Sequence, residues 1–245
     1  MITYIRRVEA SGSPLRAIRP LGPNRTVEQT LVAELRDLVV EGALPPGLRV
    51  TYREIAERFE VSVTPVRAAV RELTKEGLLE SDASRGARVT PLSAEDLEEI
   101  YAARLGLESL IARRGAERVD SARLAEMRAR VADVEAAACE LDQARYLNEI
   151  WEYRAVCYRA AERPRLFAHV GLLVRRSMRY NWLTLGRDPR RIAESVEFQR
   201  RFYLACAQQD GLGAQSIMRE AMDWSVEYLL RHVLPALESG EAQPL

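Results

Sequence analysis

Hydrophobic residues recur at helical spacing along most of the chain. Val27, Leu31, Leu35, Leu38 and Val39 fall on one face, with Glu28, Glu34, Asp37 and Glu41 mostly elsewhere. Gly42 and then Pro45-Pro46-Gly47 end that first helix. Thr51 is placed to cap a second helix that turns Ile55, Ala56 and Phe59 inward. The turn Glu60-Val61-Ser62 leads into a third helix, whose apolar face is Val66, Ala69, Val70 and Leu73, and Gly77 stops it. Two short runs, 78–81 and 87–90, flank the polar turn 82–86 and predict a hairpin. Three helices followed by a two-stranded hairpin make a winged helix-turn-helix over residues 26–91.

The pattern changes at Pro91. Ser93, followed three residues on by Asp96, resembles a capping box with a shortened acid. Long amphipathic helices are then expected near 94–118, 121–140, 142–162, 165–186, 189–209 and 212–237. Pro164, Pro189 and the pair Gly211 and Gly213 punctuate them. Helices of this length joined by short turns pack as an antiparallel all-α bundle, here over 92–238. The fold class is therefore mainly α: an N-terminal winged helix-turn-helix and a C-terminal helical bundle. Residues 1–25, rich in Gly and Pro, read as a flexible tail, and 239–245 as a frayed C-terminus.

Charge narrows the function classes. Among 245 residues, 36 basic side chains balance 36 acidic ones, so no whole-molecule attraction draws the chain to nucleic acid or anionic membrane. The balance is uneven along the chain: five basic residues against one acidic in the tail, nine against eleven over 26–91, and a further excess of two acids beyond. No apolar run approaches the ~18 residues of a membrane span, which points to a cytoplasmic protein without a membrane partner. Cys139, Cys157 and Cys206 show no CxxC spacing and read as buried thiols of a reducing compartment. With His169 and His232 the only histidines, a His-rich metal centre or a Ser-His-Asp triad is hard to assemble, and no enzyme is expected.

The third helix carries the chemistry of the first domain. Ser62, Val63, Thr64, Arg67 and Arg71 lie near its start or opposite its apolar stripe, with the two arginines four residues apart on one side. A recognition helix needs this pattern: its N-terminal residues reach base edges, and hydroxyls and helix N-termini anchor phosphates. The arginine fork matches guanine O6 and N7 together. Arg53 opens the supporting helix, where it can meet the DNA backbone. Arg85 and Gly86 at the hairpin tip could enter the minor groove, Gly86 permitting close approach. The competing reading is a winged helix that binds only protein.

Several motifs now stand in order: Leu44-Pro45-Pro46-Gly47-Leu48-Arg49-Val50, Arg53-Glu54-Ile55-Ala56, Val61-Ser62-Val63-Thr64-Pro65-Val66-Arg67, Glu76-Gly77-Leu78-Leu79 and Arg85-Gly86-Ala87-Arg88-Val89. They resemble the GntR family of bacterial transcription regulators. The helical remainder, with 97–104 and Glu108 in its first helix, resembles the FadR subfamily and its FCD effector domain. The resemblance implies a homodimeric regulator that binds a short palindromic operator on double-stranded DNA and answers to a small-molecule effector. Repression is the family default. Two positions depart from the pattern: Val63 stands where arginine is common, and Glu60 where the turn usually has glycine. Valine packs on a thymine methyl but cannot donate to guanine, so an altered operator base is expected. A left-handed backbone at Glu60 would cost about 1 kcal/mol.

Many FCD domains hold a divalent metal, using an Asp and a His one helical turn apart and two further His. Matched helix by helix, those positions fall here on Ile150, Arg154, Gln199 and Ala221, none of which replaces its ligand well. No metal and no cofactor is therefore expected. In metal-containing relatives the ion helps bind a carboxylate effector. Here Arg154 could take that charge directly, or form an internal salt bridge, for example with Glu108. Arg104 suits either task, Gln199 would orient the ligand, and Tyr158 and Trp224 either line the cavity or pack the core. The polar run Arg175, Arg176, Arg179, Tyr180, Asn181 and Trp182 faces the pocket, solvent or a dimer partner. An effector-independent DNA-binding scaffold, its pocket filled by side chains, is the alternative.

Overall fold

A computed structural model describes residues 27–82, 86–185 and 188–235. The tail 1–25, Arg85 and the C-terminal 239–245 lie outside the described residues. The chain divides into two compact units between Ser93 and Ala94.

The first unit comprises α1 (Val27–Val40), β1 (Arg49–Val50), α2 (Tyr52–Phe59), α3 (Val63–Lys75), β2 (Leu79–Asp82) and β3 (Gly86–Val89). The expected two-stranded hairpin is a three-stranded antiparallel sheet of order β1-β3-β2, in which Ala87 faces Val50 on one side and Ser81 on the other. The added strand, β1, has two residues, too few for alternation of polar and apolar positions to register. Leu31, Leu35, Ile55, Phe59, Val66 and Leu73 close one apolar core beneath the helices. Thr51 does cap α2: its Oγ1 accepts from Glu54 N–H at 3.1 Å, while Glu54 Oε2 accepts from Thr51 N–H at 2.7 Å, completing a capping box. Arg36 on α1 grips the buried carboxylate of Glu76, the C-cap of α3, through two bonds of 2.9 and 2.8 Å. This fork fixes the C-terminal end of α3 against α1.

The second unit is all helix: α4 (Ala94–Ala116), α5 (Ser121–Cys139), α6 (Gln143–Ala160), α7 (Pro164–Leu185), α8 (Pro189–Ala207) and α9 (Gly211–Tyr228). Its helix starts share one device. Asp120, Asp142, Asp188 and Asp210 cap α5, α6, α8 and α9, each accepting from a backbone N–H two or three residues on. Helix α4 packs against α6, α7, α8 and α9. Its approach to α6 is close enough that a Cβ on Gly115 would collide with the Cys157 carbonyl. Where one α-helix was expected to continue, Leu229–Val233 form a turn of π-helix. Hydrophobic spacing does not separate i→i+5 from i→i+4 bonding over a single turn.

The cysteines correct the expectation of three buried thiols. Cys139, in the last turn of α5, is exposed. Cys157 and Cys206 are buried, and their sulfurs meet at 3.6 Å between α6 and α8. The hydrogen bond with Cys206, together with burial, raises the Cys157 thiol well above its ordinary value, so Cys157 stays a protonated packing group.

Candidate nucleic-acid interface and ligand cleft

Helix α3 separates its two faces completely. Val66, Ala69, Val70 and Leu73 are buried, whereas Ser62, Val63, Thr64, Arg67 and Arg71 are all exposed. Ser62 is the N-cap but makes no side-chain cap bond, leaving its hydroxyl unengaged at the positive end of the helix. Glu60 at the turn is left-handed, with φ of 56° and ψ of 42°, so the condition under which the missing glycine carries a cost is met. Arg53 on α2 is exposed and pairs with Glu57 at 2.8 Å, one turn along its own helix. The guanidinium of Arg67 lies 4.6 Å above the ring of Tyr52, whose hydroxyl is 2.9 Å from Ser81 Oγ on β2.

Gly86 behaves differently from the expectation of close approach to DNA. It is buried with φ of 118°, and a Cβ there would collide with the Val50 carbonyl. The close approach it permits is of β3 to β1, inside the protein.

In the bundle, Ile150, Arg154, Gln199 and Ala221 converge on one cleft, joined by Arg104 and Trp224. Its empty volume is about 500 Å³, counting the part open to solvent. The cleft-lining Arg104 is paired with the fully buried carboxylate of Glu108, which accepts from Arg104 Nε at 2.9 Å and from the Tyr158 hydroxyl at 2.9 Å. Arg154 approaches the same carboxylate at 3.6 Å and donates its Nε to Gln199 Oε1 at 3.0 Å. Gln199 is held in turn by a bond from Nε2 to the Ser195 carbonyl at 3.0 Å. Burial is the largest single influence on Arg104 and opposes its charge, but Glu108, Tyr101 and Tyr158 together outweigh it, and the guanidinium is held above its ordinary value. Burial and then the Glu108 charge push the Tyr158 hydroxyl well up, so it stays a neutral donor. Tyr158 does not line the cleft, in contrast to one of the roles open to it; its hydroxyl is committed to Glu108.

The polar run on α7 is neither a solvated face nor uniformly directed at the cleft. Asn181 lines the cleft and accepts from the Tyr101 hydroxyl at 2.7 Å. Tyr180 is buried and donates to Asp96 at 2.7 Å, while Arg179 and Trp182 are buried as well. Sequence spacing did not single out Ser177, Phe198 or Arg191. Ser177 Oγ accepts from Arg104 at 3.0 Å, and Phe198 lines the cleft beside Trp224 with ring centroids 5.7 Å apart. Arg191 lies 3.9 Å from the Trp224 ring and 3.7 Å from that of Tyr228. Its location one helical turn before Ser195 on α8 was the only available signal. His169 and His232 are both exposed.

An outward recognition face on a winged unit, followed by a helical bundle with a cleft, defines a class of two-domain, DNA-associated regulators. Residues 27–89 match the family described as bacterial regulatory proteins, gntR family, and residues 99–223 match the FCD domain. The chain belongs to the GntR family of transcription regulators, in the branch that carries an FCD domain, with a FadR-like architecture.

Its relatives include the HTH-type transcriptional regulator McbR of Escherichia coli, 25% identical over 85% of this chain and 96% of that protein. The uncharacterized HTH-type transcriptional regulator YdhC of Bacillus subtilis is 40% identical over 31% of this chain and 34% of its own length. A probable D-xylose utilization operon transcriptional repressor of Paenarthrobacter nicotinovorans is 41% identical over 36% of this chain and 41% of its own. The chain thus matches less than half the length of these last two. The solved structure of E. coli McbR shares the fold, with a TM-score of 0.73 at 22% identity over 84% of this chain and 98% of that one.

Proposed function

We propose that this protein is a ligand-responsive transcription regulator that acts as a cytoplasmic homodimer on a palindromic operator and is released from it by a small acidic metabolite. The observation that carries the reading is the exposed face of α3, where Ser62, Val63, Thr64, Arg67 and Arg71 stand clear of the core. Arg53 adds a backbone contact, and Arg85, which precedes Gly86 in the sequence, is assigned a minor-groove contact. Val63 meets a thymine methyl where other members of the family present arginine. In a binding selection from randomised duplexes, Val63→Arg is expected to change the preferred base at one half-site position. An unchanged preference removes Val63 from the readout.

The cleft supports an anionic effector without a metal. Of the four positions matched to the family's ligands, Ile150 and Ala221 have no donor atom and Arg154 is a cation. The Gln199 oxygen already accepts from Arg154. This donor set does not suit a divalent cation. Arg104 and Arg154 bring two positive charges and Glu108 one negative, leaving a single positive charge for the ligand to meet. Arg154, oriented by Gln199, supplies the anchor, while Phe198 and Trp224 offer an apolar wall. A ligand acts by binding the DNA-competent and DNA-incompetent states unequally, and the usual coupling of ~1–3 kcal/mol suffices to release a repressor.

Thermal-shift screening of organic acids, acyl-CoAs and sugar acids, followed by DNA release with any hit, tests the reading. Arg154→Ala is expected to abolish ligand-induced release while leaving DNA binding of the free protein intact. A retained response excludes Arg154 as the anchor.

A further inference from the structure

Tyr52 is an unusual first residue for a helix that supports a DNA-reading neighbour. The side chains around it on the surface of α2, Arg53, Glu54 and Glu57, are charged and exposed, yet Tyr52 is buried to 9% exposure. Burial is explained by what the ring touches. One face lies under the guanidinium of Arg67 from α3, 4.6 Å from the ring centroid, and the hydroxyl is fixed 2.9 Å from Ser81 Oγ on β2. One side chain therefore links the supporting helix, the recognition helix and the first strand of the wing. Among the described residues Arg67 enters no ion pair, unlike Arg53 with Glu57, so its guanidinium keeps its donors while the ring restricts its position.

We propose that Tyr52 is a positioning residue for base reading by Arg67: the ring holds the guanidinium in the plane and place from which it docks, and Ser81 sets the tilt of the ring. The proposal rests on the DNA-binding reading of α3. Its physical basis is that a free arginine on a helix surface samples many rotamers and loses them on docking. A guanidinium already stacked on an aromatic face loses fewer. Cation–π attraction leaves the N–H edge of the guanidinium free, and that edge is the one a guanine O6/N7 pair accepts from. The arrangement also couples the wing to the recognition helix, since displacement of Ser81 with β2 would tilt the ring beneath Arg67.

The test is a binding selection from randomised duplexes with the full chain, comparing wild type, Arg67→Ala, Tyr52→Leu, Tyr52→Phe and Ser81→Ala, with thermal melting of each. Arg67→Ala identifies the half-site position that Arg67 reads. Tyr52→Leu is expected to lose discrimination at that same position, on the order of tenfold, with preferences elsewhere kept. Tyr52→Phe and Ser81→Ala retain the ring and are expected to lose less, at the same position. A purely structural role would weaken all positions together, and that outcome overturns the proposal, as does an unchanged preference in Tyr52→Leu. If Tyr52→Leu fails to fold, the two milder variants decide: a loss confined to the Arg67 position supports the proposal, and no loss there overturns it. Failure of wild type to select any duplex overturns the DNA-binding reading itself, and is told apart because it appears without any substitution.

Discussion

The arginines on α2 and α3 of the winged unit and the one at the heart of the bundle are used in opposite ways. In the winged unit Arg53, Arg67 and Arg71 stand exposed on a scaffold whose interior is apolar. In the bundle Arg104 is 4% exposed and is sealed against a fully buried carboxylate. Water decides the difference. An exposed guanidinium remains hydrated, costs little to hold, and is available to an anionic partner that brings its own charge. A buried one must be neutralised from within, and its partner then becomes part of the structure. The same residue type is therefore left available to an anionic partner on α2 and α3, while Arg104 in the bundle, like Arg36 against Glu76, first has to hold the fold together.

That contrast is broken most directly by neutralising one carboxylate in each unit. Glu108→Gln leaves the buried Arg104 and the half-buried Arg154 without their counter-charge, and a loss of about 3–5 kcal/mol is expected in denaturant unfolding. Glu57→Gln, which strips Arg53 of its exposed partner, is expected to change stability by less than about 0.5 kcal/mol. Equal effects would mean that burial does not separate the two sets of arginines. Raising salt sharpens the same comparison, because it weakens the exposed pair and leaves the buried one nearly unchanged.

The units also differ in how much of each was legible in the sequence. Most helix bounds in both were legible, because the Thr51 cap, Pro and Gly leave local marks, as at Gly77 and Pro189, whereas the Asp caps of α5, α6, α8 and α9 went unread. The outward face of α3 was equally legible, since one helix period divides Arg67 and Arg71 from Val66 and Val70. The cleft was legible only through its family positions: Ile150, Arg154, Gln199 and Ala221 do meet, but their meeting depends on α6, α8 and α9 packing together. What spacing along one helix cannot carry is contact between distant segments. Tyr52 against Arg67 and Ser81, Tyr158 turned to Glu108 and away from the cleft, and the β1 strand all lie on that side of the line. Gly86 shows the same limit, since its glycine is required by Val50, which lies 36 residues earlier.

The turn between α2 and α3 offers a smaller test. Glu60 holds a left-handed conformation that costs an L-residue about 1 kcal/mol and costs glycine almost nothing. Glu60→Gly is therefore expected to stabilise the winged unit by about 1 kcal/mol, less the extra freedom glycine gives the unfolded chain. The measurement is the midpoint of unfolding for that unit. A destabilised variant would show that the Glu60 side chain contributes more than its backbone costs.

The smallest expected effect concerns the start of α2, and it fixes the sign of a pH dependence. The Thr51 N–H and hydroxyl both bond to Glu54, and the backbone bond is the larger cause holding that carboxyl below its ordinary value of 4.5. A depressed folded value means that the unfolded state binds the proton more readily. The contribution of Glu54 is thus fully present above the unfolded value and is lost as pH falls through the folded one. Because Glu54 is exposed, solvent screens the interaction and the increment is small. Wild type should exceed Glu54→Gln in stability above the ordinary value of 4.5, and the difference should close as pH falls below it. A gap between wild type and Glu54→Gln that stays constant across that range would show that the capping box is held by its geometry alone, with no share from the carboxylate's charge.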